Sequence, residues 1–285
     1  MTDTFDIPTL DAALAGTPFA GQIRFFPSIH STNTLAMQEA DGGAPAGRVY
    51  LADEQTAGRG RGAHEWRSAA GSGLYVSVLL RPGVAPADVL WFSLAAGLAV
   101  HAAVKEVTAL EPDIRWPNDL LLSGKKFCGI LTELNAEVTR VRHMVIGIGI
   151  NVHQAAFPAE LSSIATSLAI ETEREWRRQD LLIALLGALH RETEALTGQS
   201  RQRDGNMGGS VGDELLVRLA KASSWVRGKQ VTVEETDTVS GGFSGPFSGT
   251  TDGLDSRGFL RVRTADGIRT VLSGGVREAN PERKR

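Results

Sequence analysis

At 285 residues and 30.4 kDa, the chain is long enough to bury a substantial core. Its 42% hydrophobic and 22% charged residues exclude wholesale disorder, collagen and coiled coil as the dominant organisation. The net charge of −3 and pI near 6.1 leave no basic surplus for holding nucleic acid by counterion release. Cys128 is the one cysteine, so an internal disulfide is excluded and a reducing compartment is expected. Asp3, Asp6 and Asp11 precede Pro18 with no basic or apolar leader between them, which argues against a signal peptide. No run is expected to reach the roughly 18 apolar residues that cross a bilayer. The expectation is a soluble, cytoplasmic protein with no membrane partner.

In chain order, Gly47 to Glu54 reads as a strand that runs into a glycine-rich loop over residues 57–66. Gly73 to Leu80 reads as a second strand. Ala87 to Lys105, with Leu90, Leu94 and Leu98 four apart, reads as a helix whose apolar face belongs in a core. Strands are predicted at Leu120 to Leu122, Gly129 to Leu134 and Val141 to Val152, so the class is mixed α and β. Asp180 to Leu196 carries Leu181, Leu185 and Leu189 on one face and predicts an amphipathic helix. Residues 198–212 include Gly198, Gly205, Gly208, Gly209 and Gly212 without periodicity and read as a mobile connector. A short helix from Asp213 to Val226 is followed by short strands at Gln230 to Val233, Gly258 to Arg263 and Arg269 to Leu272, a small all-β module. No internal repeat is present at periods of about 20 to 50 residues.

Four segments carry chemistry. In Gly58-Arg59-Gly60-Arg61-Gly62 the glycines let backbone approach an anion while two guanidinium groups suit phosphate oxygens. Taken alone, a solvated basic turn explains it equally well, and neither a Rossmann fingerprint nor a P-loop is present. Around Trp116-Pro117-Asn118-Asp119 the proline fixes backbone and presents Asn118 and Asp119. Asp119 suits magnesium or a ribose, although an ordinary turn is the commoner use of such residues. Lys125 and Lys126 are two of only six lysines, against twenty-four arginines, and they sit in an apolar stretch. A lysine there can aim a compact charge at a carboxylate and an α-phosphate together, or simply snorkel at a hairpin corner. Gly147 and Gly149 interrupt the strand Met144 to Ile150, marking close approach of a ligand or of another backbone. His64 stands alone in its loop, and Cys128 reads as a small buried hydrophobe. No catalytic triad or zinc constellation is evident.

Taken in order, these elements resemble the biotin protein ligase family. The matching motifs are Ser31-Thr32-Asn33, Gln55 to Arg61, Trp116 to Asp119, Lys126 to Leu131 and Gly147 to Asn151, and the likeness spans roughly residues 23–280. The resemblance implies an α+β fold: a class II synthetase-like catalytic domain with a mixed central sheet and packed helices, then a small C-terminal SH3-like β-barrel. The corresponding division is an N-terminal extension at 1–22, the catalytic domain at 23–226 and the barrel at 227–285. The implied substrates are biotin and ATP with Mg2+, and the implied partner is the biotin carboxyl carrier protein of acetyl-CoA carboxylase or a related carboxylase. By the same resemblance, Ser31, Thr32, Asn33 and Gln55 would bond the biotin rings, with Gly129 lining their pocket and Gly58 in the adjoining loop. Arg59, Gly60 and Arg61 would order over the biotin carboxylate and adenylate phosphate, and Lys126 would stand between carboxylate and α-phosphate. Asn118 and Asp119 would face nucleotide and magnesium, Trp66 and Asn151 would enclose the adenine, and His64 would lie near the phosphates. The catalytic set is then Lys126, Arg59 and Asp119.

The loop departs from the family by having Gly62, Ala63 and His64 where Arg, Gly and Arg are common, a loss of two fixed charges. Thirty residues precede the Ser31 motif, too few for the DNA-binding domain of the family's repressor members, so repressor function is not expected. Both monomer and homodimer remain open, as do a lipoate or octanoate ligase and a non-catalytic biotin-responsive regulator.

Overall fold

The structure, a computed structural model, describes residues 4–62, 64–200, 210–234 and 245–279, with backbone alone at 199, 200, 210 and 211. Its centre is a mixed seven-stranded sheet. The strands are β1 Ile23–Phe26, β2 Val49–Ala52, β3 Gly73–Leu80, β4 Asp113–Arg115, β5 Asp119–Leu122, β6 Lys125–Ala136 and β7 Val141–Asn151. They run in the order β1-β2-β3-β7-β6-β5-β4, with β1 and β2 parallel and every other neighbour antiparallel.

Both faces of the middle strands are covered, which is why β3 and β7 read as near-continuous apolar runs rather than alternating ones. Ile146, Ile148 and Ile150 enter the main core with helices α3 (Val89–Thr108) and α5 (Arg178–Ser200). The intervening Gly147 and Gly149 turn to the opposite face, as the two-residue strand period requires, where helix α2 (Thr32–Asp41) lies. That second face has its own small cluster of Ala36, Ala40, Tyr50, Leu79 and Val145.

Contrary to expectation, one stretch, Pro86–Thr108, is long and apolar enough to cross a membrane, with mean hydropathy 1.6. Its apolarity has a protein explanation: Trp91, Phe92, Leu94, Leu98, Val100 and Val104 are all buried, and the helix packs between the sheet and α5. A helix apolar on most sides is what a central position demands.

The chain before the sheet is part of the same core. Helix α1 (Ile7–Ala13) is capped by Asp6, and Leu10, Leu14 and Phe19 are fully buried. The connector expected at 198–212 is partly helical, because α5 continues to Ser200 and α6 (Ser210–Ala222) begins at Ser210; residues 201–209 lie outside the described residues.

A five-stranded antiparallel sheet completes the fold, from β8 Arg227–Glu234, β9 Phe247–Leu254, β10 Leu260–Thr264, β11 Gly267–Val271 and β12 Gly275–Glu278, in the order β11-β10-β9-β8-β12. It is docked, not dangling. The Trp116 indole donates to the Gly258 carbonyl at 2.9 Å, and a side chain at Gly258 would stand 2.8 Å from Leu94. Val231, Val233, Leu260 and Val262 accordingly join the main core.

Candidate functional site

The site forms where three local structures converge on the glycine face of the central sheet. The first is the N-terminus of α2. Ser31 caps it, accepting from the Thr34 amide, so Thr32 and Asn33 begin the helix with their polar side chains buried. The second is the glycine-arginine loop. It folds back as a ragged hairpin, bridging Gln55 to Ser68 and Arg59 to Glu65. The third is the hairpin of β5 and β6 (the latter opening at Lys125), which presents Asp119 and Lys126.

A cavity of about 450 Å3, counting the solvent at its mouth, opens between them. Its walls include Ser31, Thr32, Asn33 and Gln55 at one end, and Arg59, Gly60, Arg61, Trp66, Asn118 and Lys126 elsewhere. Gly129 also lines it, so eleven of the residues singled out from sequence share one cavity. Arg59 and Lys126 in particular face the same space.

The polar end is a connected network. Gln55 Oε1 accepts from the Thr32 amide and hydroxyl at 2.9 and 3.0 Å, and Gln55 Nε2 donates to Ser68 at 2.8 Å. Ser77 Oγ lies 2.7 Å from the Thr32 hydroxyl and 2.6 Å from Asn33 Oδ1. Asn33 Nδ2 donates in turn to Glu133 at 3.0 Å and to the Leu131 carbonyl at 3.2 Å. Such a chain holds each donor and acceptor in a fixed direction, which is the condition for reading a neutral polar ligand head.

The charged end centres on Asp119. Its Oδ1 is 2.5 Å from Lys126 Nζ and its Oδ2 is 2.7 Å from Arg115. Burial pushes this carboxyl up, but the two cations outweigh burial and hold it below its ordinary value. A carboxylate with both oxygens engaged by cations does not suit magnesium, and no cluster of three His, Cys, Asp or Glu occurs among the described residues. Asp119 instead aims Lys126, whose ammonium lies over Gly129 and 5.4 Å from the centre of the Trp66 ring. Arg61 is half-buried, which pulls its guanidinium down while Asp119 acts the other way. It donates to the Gly274 carbonyl of the small sheet at 2.9 Å.

The interior glycines make room for these groups. A Cβ at Gly147 would stand 2.1 Å from Asn33 Oδ1, and one at Gly149 would stand 2.5 Å from the Trp66 indole nitrogen. That indole N–H is buried and has no hydrogen-bond partner among the described residues, leaving a donor in the wall. The sequence marks both glycines for close approach of a ligand or another backbone, and the groups that approach them are the Asn33 amide and the Trp66 ring. Val76, Ile130, Leu131 and Ile148 line the cavity too, and ordinary strand residues give no such signal.

Four expected residues stand outside the lining. Gly58 supports the loop, since a Cβ there would meet the Trp66 carbonyl at 2.3 Å. His64 is exposed and its carbonyl accepts from the Gly60 amide. Asp119 acts through Lys126 and Arg115. Asn151 donates to the Thr166 carbonyl at 3.0 Å and accepts from Gln154 at 3.2 Å, so it fastens the 153–166 segment. Cys128 is fully buried, and burial pushes its thiol up, consistent with a packing role.

Residues 25–151 match the model of the biotin/lipoate A/B protein ligase family. The chain is 36% identical over 250 residues to the bifunctional ligase/repressor BirA of Bacillus subtilis, covering 87% of this chain and 71% of that protein. It is 41% identical over 143 residues to the biotin–[acetyl-CoA-carboxylase] ligase of Mycobacterium tuberculosis, covering 48% of this chain and 51% of that one. Among solved structures, the biotin protein ligase of Aquifex aeolicus in complex with biotin and ATP superposes with a TM-score of 0.73 at 27% identity, covering 90% of this chain and 99% of that chain.

Proposed function

The chain belongs to the biotin/lipoate A/B protein ligase family, and from that premise we propose that it activates biotin with ATP and transfers it to a lysine of a biotin carboxyl carrier protein. One observation carries the reading: a single cavity has a hydrogen-bonding end, apolar walls and a lysine at its charged end. Biotin has the matching profile of a neutral polar head, an apolar body and an acid tail. The relative from Mycobacterium tuberculosis names acetyl-CoA carboxylase as its target, and that carrier is the one proposed here.

In the first half-reaction a biotin carboxylate oxygen attacks the α-phosphorus of ATP, the bond to pyrophosphate breaks, and biotinyl-5′-AMP forms. Two anions must meet. The Lys126 ammonium, held by Asp119, screens that approach, and Arg61 supplies a second fixed charge on the same cavity. ATP enters as its magnesium complex, the metal carried by the phosphates. In the second half-reaction the neutral amine of the carrier lysine attacks the anhydride carbonyl, AMP leaves, and one proton passes to solvent. No protein nucleophile is needed, and the loop over the cavity keeps water from the anhydride.

The unit at 23–226 is read as the catalytic domain and 227–285 as a module of SH3-like type, on the support of its five short antiparallel strands. The direct test incubates the protein with biotin, ATP, magnesium and a carrier domain and weighs the carrier. A gain of one biotinyl group is expected. Pyrophosphate release with lipoate but not with biotin would overturn the substrate.

A further inference from the structure

We propose that Glu133 is a positioning residue that clasps the glycine-arginine loop onto the polar end of the cavity. This rests on the ligase reading for what the loop encloses, but the clasp itself is a contact of the fold. Glu133 stands on β6, two residues beyond Leu131 of the cavity wall, and its side chain keeps 23% exposure. Its two oxygens serve two different elements. Oε1 pairs with Arg59 Nη2 at 2.9 Å, with a second approach of Nη1 to Oε2 at 3.5 Å, and Oε2 accepts from Asn33 Nδ2 at 3.0 Å.

The consequence is topological. The network that starts at Ser68 and passes through Gln55, Thr32, Ser77 and Asn33 reaches Glu133 and then returns, through Arg59, to the loop from which Gln55 and Ser68 come. Glu133 closes that ring. Removing it cuts the only link in the ring made by an ion pair, while the backbone bridges at the loop's base remain.

Arg59 therefore presents its charge to a protein carboxylate, not to the ligand's acid group. Of the two loop guanidinium groups, Arg61 is the one that lies near Asp119 and Lys126. The division of labour is that Arg59 fastens the loop and Arg61 and Lys126 supply charge at the reacting centre. Glu133 also sets the direction of the Asn33 amide, because Asn33 Oδ1 faces Ser77 only while Nδ2 faces Glu133.

The test uses the full chain and two readouts. Without substrates, limiting trypsin reports loop opening by cleavage after Arg61. Glu133→Gln, which keeps size and an acceptor for Asn33 but removes the charge, is expected to be cut roughly two- to fivefold faster, given that Arg59 is half exposed. Arg59→Gln must reproduce that effect from the exposed side, Glu133→Asp must restore part of it, and unfolding midpoints must stay near wild type. With biotin, ATP and magnesium, both Gln variants should lose bound adenylate to hydrolysis faster by a similar factor while the rate of pyrophosphate release changes less. Cleavage rates equal to wild type in both variants would overturn the clasp. Wild-type protein that makes no adenylate would overturn the ligase reading instead, and the proteolysis result would still decide the clasp.

Discussion

Replacing Asp119 by asparagine keeps the shape of the side chain and removes the charge that Lys126 and Arg115 share. Breaking a fully buried ion pair by neutralising one partner costs about 3–5 kcal/mol. Here the Asp119, Lys126 and Arg115 side chains retain 17, 30 and 21% exposure, so water screens part of that loss. A cost of about 2–3 kcal/mol is expected. For a chain of this length that lowers the thermal midpoint by about 3–5 °C. The pH dependence fixes the cause. Because Lys126 and Arg115 overcome the upward push of burial, the folded carboxyl titrates below its unfolded value. Its stabilising contribution is then complete above the unfolded value near pH 4 and disappears as pH falls through the folded one. Urea denaturation of wild type and Asp119→Asn should give a constant difference from pH 7 to pH 5 that narrows below about pH 4. Equal midpoints at pH 7, or a difference that shrinks between pH 7 and 5, would refute the reasoning.

Lys126→Ala should lower biotin-dependent ATP–pyrophosphate exchange by about a hundredfold or more while a folded protein survives, as expected when a fixed charge at the reacting centre is lost; undiminished exchange would count against its role. Gly149→Ala places a methyl 2.5 Å from the Trp66 indole nitrogen, so the ring must leave the wall. Ligand affinity should fall about tenfold or more with a change in tryptophan emission, whereas Gly187→Ala on α5, whose nearest neighbour is 3.7 Å away on a flexible arginine, should be neutral or stabilising by up to ~1 kcal/mol. Cys128, buried and with its thiol pushed up, should react with a disulfide reagent only on denaturation; rapid labelling of the native protein would show an opening at β6 that the structure lacks.

The pattern of the chain revealed elements whose faces are uniform and hid those whose faces are mixed. β3 was legible to the residue because nearly all of it is buried and apolar. α2 was not, since the residues it turns inward are Thr32, Asn33 and alanines, which carry the site and not an apolar stripe. The edge strands β1 and β4, the four-residue β12 and the polar, glycine-containing β9 are likewise too short or too polar for periodicity to register. At the site, ordered motifs found the groups that meet the cavity. They could not say which cation has a partner of its own. Arg59 and Arg61 are two residues apart in one motif, yet one ends on Glu133 and the other on the small sheet, a difference set by residues 74 and 213 positions away in sequence.

That last contact makes the small sheet part of the cavity's wall. Arg61 donates to the carbonyl of Gly274, which sits at φ +132° in the turn between β11 and β12, a conformation that a side chain disfavours. An alanine there must shift the turn and withdraw the carbonyl, leaving a half-buried guanidinium with Asp119 as its nearby opposite charge. Gly274→Ala and Arg61→Ala should therefore each weaken retention of the adenylate, and the double variant should be no worse than Arg61→Ala, because both remove one interaction. Strictly additive losses in that cycle would mean that the two residues act independently. The result would then place the small sheet's influence at Trp116 and Gly258, whose 2.9 Å bond is another polar tie to the small sheet.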